Sequence, residues 1–146
     1  MRIVYRRPWL LIMLLRLTGL KPPPTAIYTW GSTIYTPGPI SQDILAHEQV
    51  HRDQQGWFPL HWWLRYTASR SFRADQELEA YAEQYGVIQN RMPRRYWPRT
   101  LMAMAQILTS PMYNAGLEPF PAMRAIEERL KRRRLTPSGE PSLSAT

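Results

Sequence analysis

Two histidines one helical turn apart, with a glutamate beside the first, constrain this chain more than any other feature: His47-Glu48-Gln49-Val50-His51. On a helix, positions 47 and 51 fall about 40° apart around the axis, so both imidazoles reach a single ion. Glu48 projects about 100° from His47, where it can face a water on that ion without binding the metal. This is the HExxH arrangement of a zinc site with an open position. It requires residues 47–51 to be helical and to face the interior. The bland alternative is a solvated helix that happens to carry two of the chain's three histidines.

Such a zinc needs a third protein ligand. A metzincin would place a histidine six residues after His51, but that position is Trp57. His61 lies beyond Gly56 and Pro59 and is a remote candidate. Carboxylates on a strongly helical stretch from about 72 to 90 are better placed: Asp75, Glu77, Glu79 and Glu83. With Glu77 at 0°, Ile88, Tyr81, Ala74, Tyr85 and Leu78 fall between about 20° and 100°, the inward face. Asp75 at about 160°, Glu79 at about 200° and Glu83 at about 240° point away. The wheel selects Glu77, with Glu79 as the alternative.

Gln54, one turn beyond His51, lies on the same face; it either supports a ligand or a substrate carbonyl, or caps the helix. Tyr81, one turn after Glu77, is a candidate donor to a developing oxyanion or else a core aromatic. Trp57, Trp62 and Trp63 line a cleft or fill the core.

The run His-Glu-x-x-His, followed about 25 residues later by Glu77-Leu78-Glu79-Ala80-Tyr81, resembles the gluzincin metallopeptidases. In that clan the glutamate opening Glu-x-x-Ala is a ligand, which on this sequence implies Glu77. The pattern of a hairpin, His-Glu-x-x-His-x-x-Gln and Glu-x-Glu-Ala-Tyr-Ala also looks like small zincin-like proteins of phages and bacteria. The resemblance covers residues 26–86. It implies a minimal zincin-like fold, a Zn2+ cofactor, Glu48 as general base and a peptide or protein substrate. The chain departs at Tyr81, where clan members often carry an aspartate that orients a ligand histidine. Ring orientation must then come from another residue.

The expected architecture is α+β and mostly helical: a β-hairpin before the HExxH helix, and a second helix supplying the glutamate. Residues 26–30 and 33–36, β-branched and aromatic, flank Gly31-Ser32 and read as two strands joined by a primed turn. The stretch 33–36 is a candidate edge on which an extended peptide could add. Ser41 is a plausible N-cap for a helix ending near Gln55, before Gly56. A short helical stretch reaches about Ser69, and helices near 100–109 and 122–134 follow. Residues 135–146 are poor in bulky apolar side chains and read as a disordered tail.

A chain of 146 residues supports one domain, read here as residues 26–134 after an apolar and basic segment at 1–25. In that segment the apolar run from Trp9 to Leu15 imitates a signal peptide or a membrane-surface anchor, but Arg16 ends it early. A membrane span takes roughly 20 apolar residues, so this run cannot cross a bilayer. The favoured reading is a helix packing Leu10, Leu14 and Leu17 on the domain. With no Cys, neither disulfides nor thiolate ligands staple the fold.

Three functions follow. The leading one is a zinc-dependent hydrolase, a metallopeptidase or amidase, with zinc the default among divalent ions suited to imidazole and carboxylate. The second is a structural or adaptor protein of a phage particle, with a structural or vestigial zinc site. The third is a nucleic-acid-associated protein: net charge is +8, and Arg129, Lys131, Arg132, Arg133 and Arg134 form a basic helix end suited to polyanion contact. A cytoplasmic or virion-associated setting is favoured over secretion, and particle or homo-oligomeric assembly fits the second function.

Overall fold

The β-branched segment after the triple proline does form a hairpin. In a computed structural model of the protein, which describes residues 1–135, strand β2 (Tyr28–Trp30) pairs antiparallel with β3 (Thr33–Tyr35) across Gly31-Ser32. Gly31 has φ +53°, the sign that a primed two-residue turn requires. The remaining tail, residues 136–146, for which disorder is expected, lies outside the described residues; the last helix reaches Leu135.

A third strand, β1 (Arg2–Val4), pairs parallel with β3, with Ile3 opposite Ile34, giving the order β1-β3-β2. This corrects the docking edge expected at 33–36. β3 is the central strand, so both of its sides are already hydrogen-bonded. The outward side of β2 is closed at Thr29, whose carbonyl accepts from Gln55 Nε2 at 2.7 Å and Trp63 Nε1 at 3.2 Å.

Six α-helices are present among the described residues: α1 (Trp9–Leu17), α2 (Gln42–Gln55), α3 (Pro59–Ala68), α4 (Arg70–Arg91), α5 (Trp97–Leu108) and α6 (Pro119–Leu135). The α+β, mostly helical class is as expected. α3 starts earlier than its Trp/Phe-rich sequence suggests, because Pro59 fits the first turn of a helix. α4 begins where the Ser69 hydroxyl accepts from Phe72 N at 3.2 Å.

Two apolar clusters flank the HExxH helix. α4, α5 and α6 bury Leu78, Tyr85, Leu101, Leu108, Ile126 and Leu130 in one. At Gly86 an added Cβ would meet Leu130 Cδ1 at 3.0 Å, so glycine lets α6 lie close on α4. The other cluster joins Leu11, Leu15 and Leu20 to Tyr28, Trp62, Trp63 and Tyr66. α2 lies along α4, and its histidine rings touch an aromatic of each cluster: His47 lies 4.8 Å from Tyr81, and His51 lies 5.5 Å from Trp62.

One expectation about the ends changes. The face of α1 that packs inward is Leu11, Ile12 and Leu15, whereas Leu10 and Leu17 are 59% and 77% exposed and Leu14 is half-buried. The helix is apolar on two opposite arcs, so periodicity alone could not say which arc meets the core. On α6, Arg129 pairs with Asp75 at 2.8 Å and Glu79 at 2.9 Å, and Arg133 pairs with Glu79 at 3.2 Å and Glu83 at 3.0 Å. The acidic stripe of α4 thus receives arginines of α6.

Candidate metal centre

The face that α2 buries is polar. His47, Glu48, His51 and Gln55 are all buried beside Val50. Burial of such groups is stable only where each finds a partner. The partners come from β2, α3 and α4.

The two imidazoles converge, with His47 Nε2 and His51 Nε2 3.1 Å apart. The Glu77 carboxylate, 2% exposed, closes the triangle: Oε2 lies 3.5 Å from His47 Nε2 and Oε1 lies 3.4 Å from His51 Nε2. Bonds of about 2.0–2.2 Å to a tetrahedral zinc separate its ligand atoms by about 3.3–3.6 Å. The measured edges match that spacing to within a few tenths of an ångström. Glu77 Oε2 is moreover a buried oxygen with no hydrogen-bond partner among the described residues. The buried group His47, His51 and Glu77 can therefore hold a metal ion.

The outer nitrogens fix the tautomers. Gln84 Oε1 lies 3.1 Å from His47 Nδ1, and the same amide donates to Asp43 Oδ2 at 2.9 Å, which sets its orientation. Gln54 Oε1 lies 2.8 Å from His51 Nδ1, while its amide nitrogen donates to Gln76 O at 3.0 Å. An amide oxygen only accepts, so both Nδ1 atoms carry hydrogen and both neutral rings present an Nε2 lone pair to Glu77. Burial works against charge on Asp43, but hydrogen bonds from Ser41 and Gln84 hold its carboxyl below the usual range.

Without a metal, a proton takes the cation's place. Burial favours the neutral ring of His51, but the Glu77 carboxylate outweighs it and raises the ring to about 9. Burial likewise opposes charge on Glu77, yet His51 and His47 hold it well below the usual carboxylate range. Tyr66 OH donates to Glu77 Oε1 at 2.6 Å; burial and that carboxylate push its own ionisation far above the usual range.

Glu48 faces the same narrow cavity of about 60 Å³ as His47, His51 and Glu77, with Thr29, Trp62, Trp63 and Tyr113 around it. Its Oε2 accepts from Thr29 Oγ1 at 2.8 Å. Gln55 ties β2 to the same helix, accepting from Gly31 N at 2.7 Å. A buried arginine, Arg73, reaches the carbonyls of Tyr113, Tyr66 and Asn114, pinning the 110–117 loop and the end of α3 around Glu77.

Of the residues singled out in the sequence, His47, Glu48, His51, Gln54 and Glu77 come together. Glu79 does not: it faces the arginines of α6. His61 is exposed on α3, outside the cluster. Trp57 is 96% exposed and does not line the cavity, whereas Trp62 and Trp63 do so as core residues. Tyr81 is a buried aromatic packed on His47, and its hydroxyl donates to Tyr113 OH at 3.3 Å. Sequence reasoning missed Gln84, Thr29, Tyr66, Arg73 and Tyr113. A signal for Gln84 existed: seven residues after Glu77, it falls about 20° from it on the wheel.

Compared with known proteins, the chain matches no family model, no curated protein and no solved structure.

Proposed function

We propose that this protein is a zinc-dependent hydrolase of peptide or amide bonds. The observation that carries the reading is the pair of Nε2 lone pairs 3.1 Å apart, facing a buried carboxylate whose Oε2 has no hydrogen-bond partner among the described residues. Two such lone pairs repel unless a cation lies between them. His47, His51 and Glu77 would hold the ion, leaving one tetrahedral position open. When bound, zinc supplies Lewis acidity, which makes water a nucleophile near neutrality and polarises a carbonyl oxygen.

The chain's own residues do the rest. Glu48 takes the proton of the attacking water and passes it to the departing amine. Thr29 holds one carboxylate oxygen of Glu48 by donating to it, leaving the other for that proton. Burial keeps bulk water from screening these charges. A minimal zincin-like arrangement accommodates this chemistry, with a peptide or protein as substrate.

The test is Glu48→Gln, assayed with a fluorogenic peptide mixture. The variant should keep the zinc content of the parent protein and lose at least about 100-fold in rate. Equal rates in parent and variant would remove Glu48 from the chemistry.

The enclosure of the site favours one other reading, a structural or vestigial zinc site in a particle or adaptor protein. All three ligand residues are nearly inaccessible, at 6%, 7% and 2% exposure. On that reading the fully zinc-loaded parent protein cleaves none of the peptides, and removal of zinc lowers only stability. The nucleic-acid reading draws less support, since Arg129 and Arg133 are committed to carboxylates of α4.

A further inference from the structure

We propose that the outer face of α1 docks on an anionic lipid bilayer, holding the protein at a membrane surface without crossing it. This inference is independent of the metal centre. On the helical wheel Trp9, Met13, Leu17 and Leu10 fall at about 0°, 40°, 80° and 100°, one continuous arc. The core residues Leu11, Ile12 and Leu15 fall between about 200° and 300°, the opposite side. The first arc is exposed: Trp9 69%, Leu10 59%, Met13 49% and Leu17 77%. A nine-residue helix that is apolar on both sides, with one side already in the core, presents the other to a second apolar phase.

Charge names that phase. The first 42 residues carry Arg2, Arg6, Arg7, Arg16 and Lys21 and no carboxylate; the first acid is Asp43. All five cations are exposed. Arg16 lies about 20° from Trp9 on the wheel, at the edge of the apolar arc. Beside it, a groove of about 320 Å³ brings together Arg6, Arg7, Trp9, Leu10, Trp30 and Tyr35, with no carboxylate of the described residues in its lining. Indole rings and arginines around an exposed apolar stripe are what an interfacial helix on anionic headgroups requires. No helix among the described residues is long and apolar enough to cross a membrane. The contact is therefore with the surface.

The experiment is co-sedimentation of the full chain with vesicles of phosphatidylglycerol and phosphatidylcholine, beside vesicles of phosphatidylcholine alone. The parent protein should partition onto the anionic vesicles, less so as salt rises, and weakly onto neutral ones. Leu10→Gln/Leu17→Gln should lower that partitioning by at least about tenfold, since both side chains leave water on docking. Arg6→Gln/Arg16→Gln should lower it by on the order of tenfold on anionic vesicles alone. Because these positions are exposed, far-UV circular dichroism and metal content should match the parent. Absence of binding to anionic vesicles overturns the proposal, as does binding that survives both double variants. Self-association lost in Leu10→Gln/Leu17→Gln, without vesicle binding, overturns it in favour of a second copy of the chain.

Discussion

His47 and His51 meet Nε2 to Nε2 at 3.1 Å, each with its Nδ1 hydrogen committed to a glutamine oxygen. Neither neutral ring can donate to the other, so the contact holds only when a cation sits against both. A proton or a metal ion can supply it. Several consequences follow from that competition.

Metal affinity should fall as pH drops. His51 is raised to about 9 in the metal-free protein, so below that pH a proton must leave before the ion binds. Isothermal titration at pH 7 should register proton release in buffers of different ionisation enthalpy. The metal-free protein has the opposite dependence. A ring whose ionisation lies higher folded than unfolded contributes stability that is full below its ordinary value of 6.5 and lost as pH rises through about 9. Metal-free Tm should therefore be lower at pH 9 than at pH 6. A metal-free Tm that rises over that interval would contradict the assignment.

Gln84 joins His47 to Asp43: its Oε1 lies 3.1 Å from His47 Nδ1 and its amide nitrogen donates to Asp43 Oδ2 at 2.9 Å. Gln84→Leu frees the His47 ring and its tautomer. Metal affinity should fall about 10- to 100-fold, the usual cost of losing such a support. Competition with a chelating dye measures this directly, and an unchanged constant would show that packing by Tyr81 alone orients the ring.

Thr29→Val removes the side-chain hydroxyl that donates to the Glu48 carboxylate, at little cost in volume. Metal content should be unchanged. With its carboxylate no longer held by a donor, Glu48 loses its fixed placement, and the rate should fall on the order of tenfold. An unchanged rate would mean that Thr29 serves only the packing of β2 on α2.

Arg73 is 2% exposed and bonds four main-chain carbonyls, those of Tyr66, Thr67, Tyr113 and Asn114, from two segments. Arg73→Met leaves those carbonyls without their donor. The loss should be on the order of 3 kcal/mol, read as a lower urea midpoint with unchanged slope. The loop bearing Tyr113 should become the first site of limited proteolysis.

Legibility from the sequence followed the range of the interactions. α2 and α4 were readable because the ligand spacing and the inward stripe of α4 repeat every turn, so local geometry already aims His47, His51 and Glu77. Gln54 was readable for the same reason. β1 was not: three residues give no periodicity, and their partner lies some thirty residues away. Tyr66, Thr29 and Tyr113 reach the site only through tertiary packing, which one-dimensional spacing does not carry. Both arcs of α1 are rich in apolar side chains, so spacing alone does not say which of them packs inward. The polar buried face of α2 conflicts with the usual apolar pattern of a packed helix, and such conflicts mark functional sites.

The most direct measurement is the metal content of purified protein by inductively coupled plasma mass spectrometry, for the parent chain beside His47→Ala and Glu77→Ala. One zinc per parent chain, and far less than one in either variant after identical loading and buffer exchange, is the expected result. Parent protein that retains no divalent metal after loading, or variants that retain as much as the parent, would contradict a shared ion held by His47, His51 and Glu77.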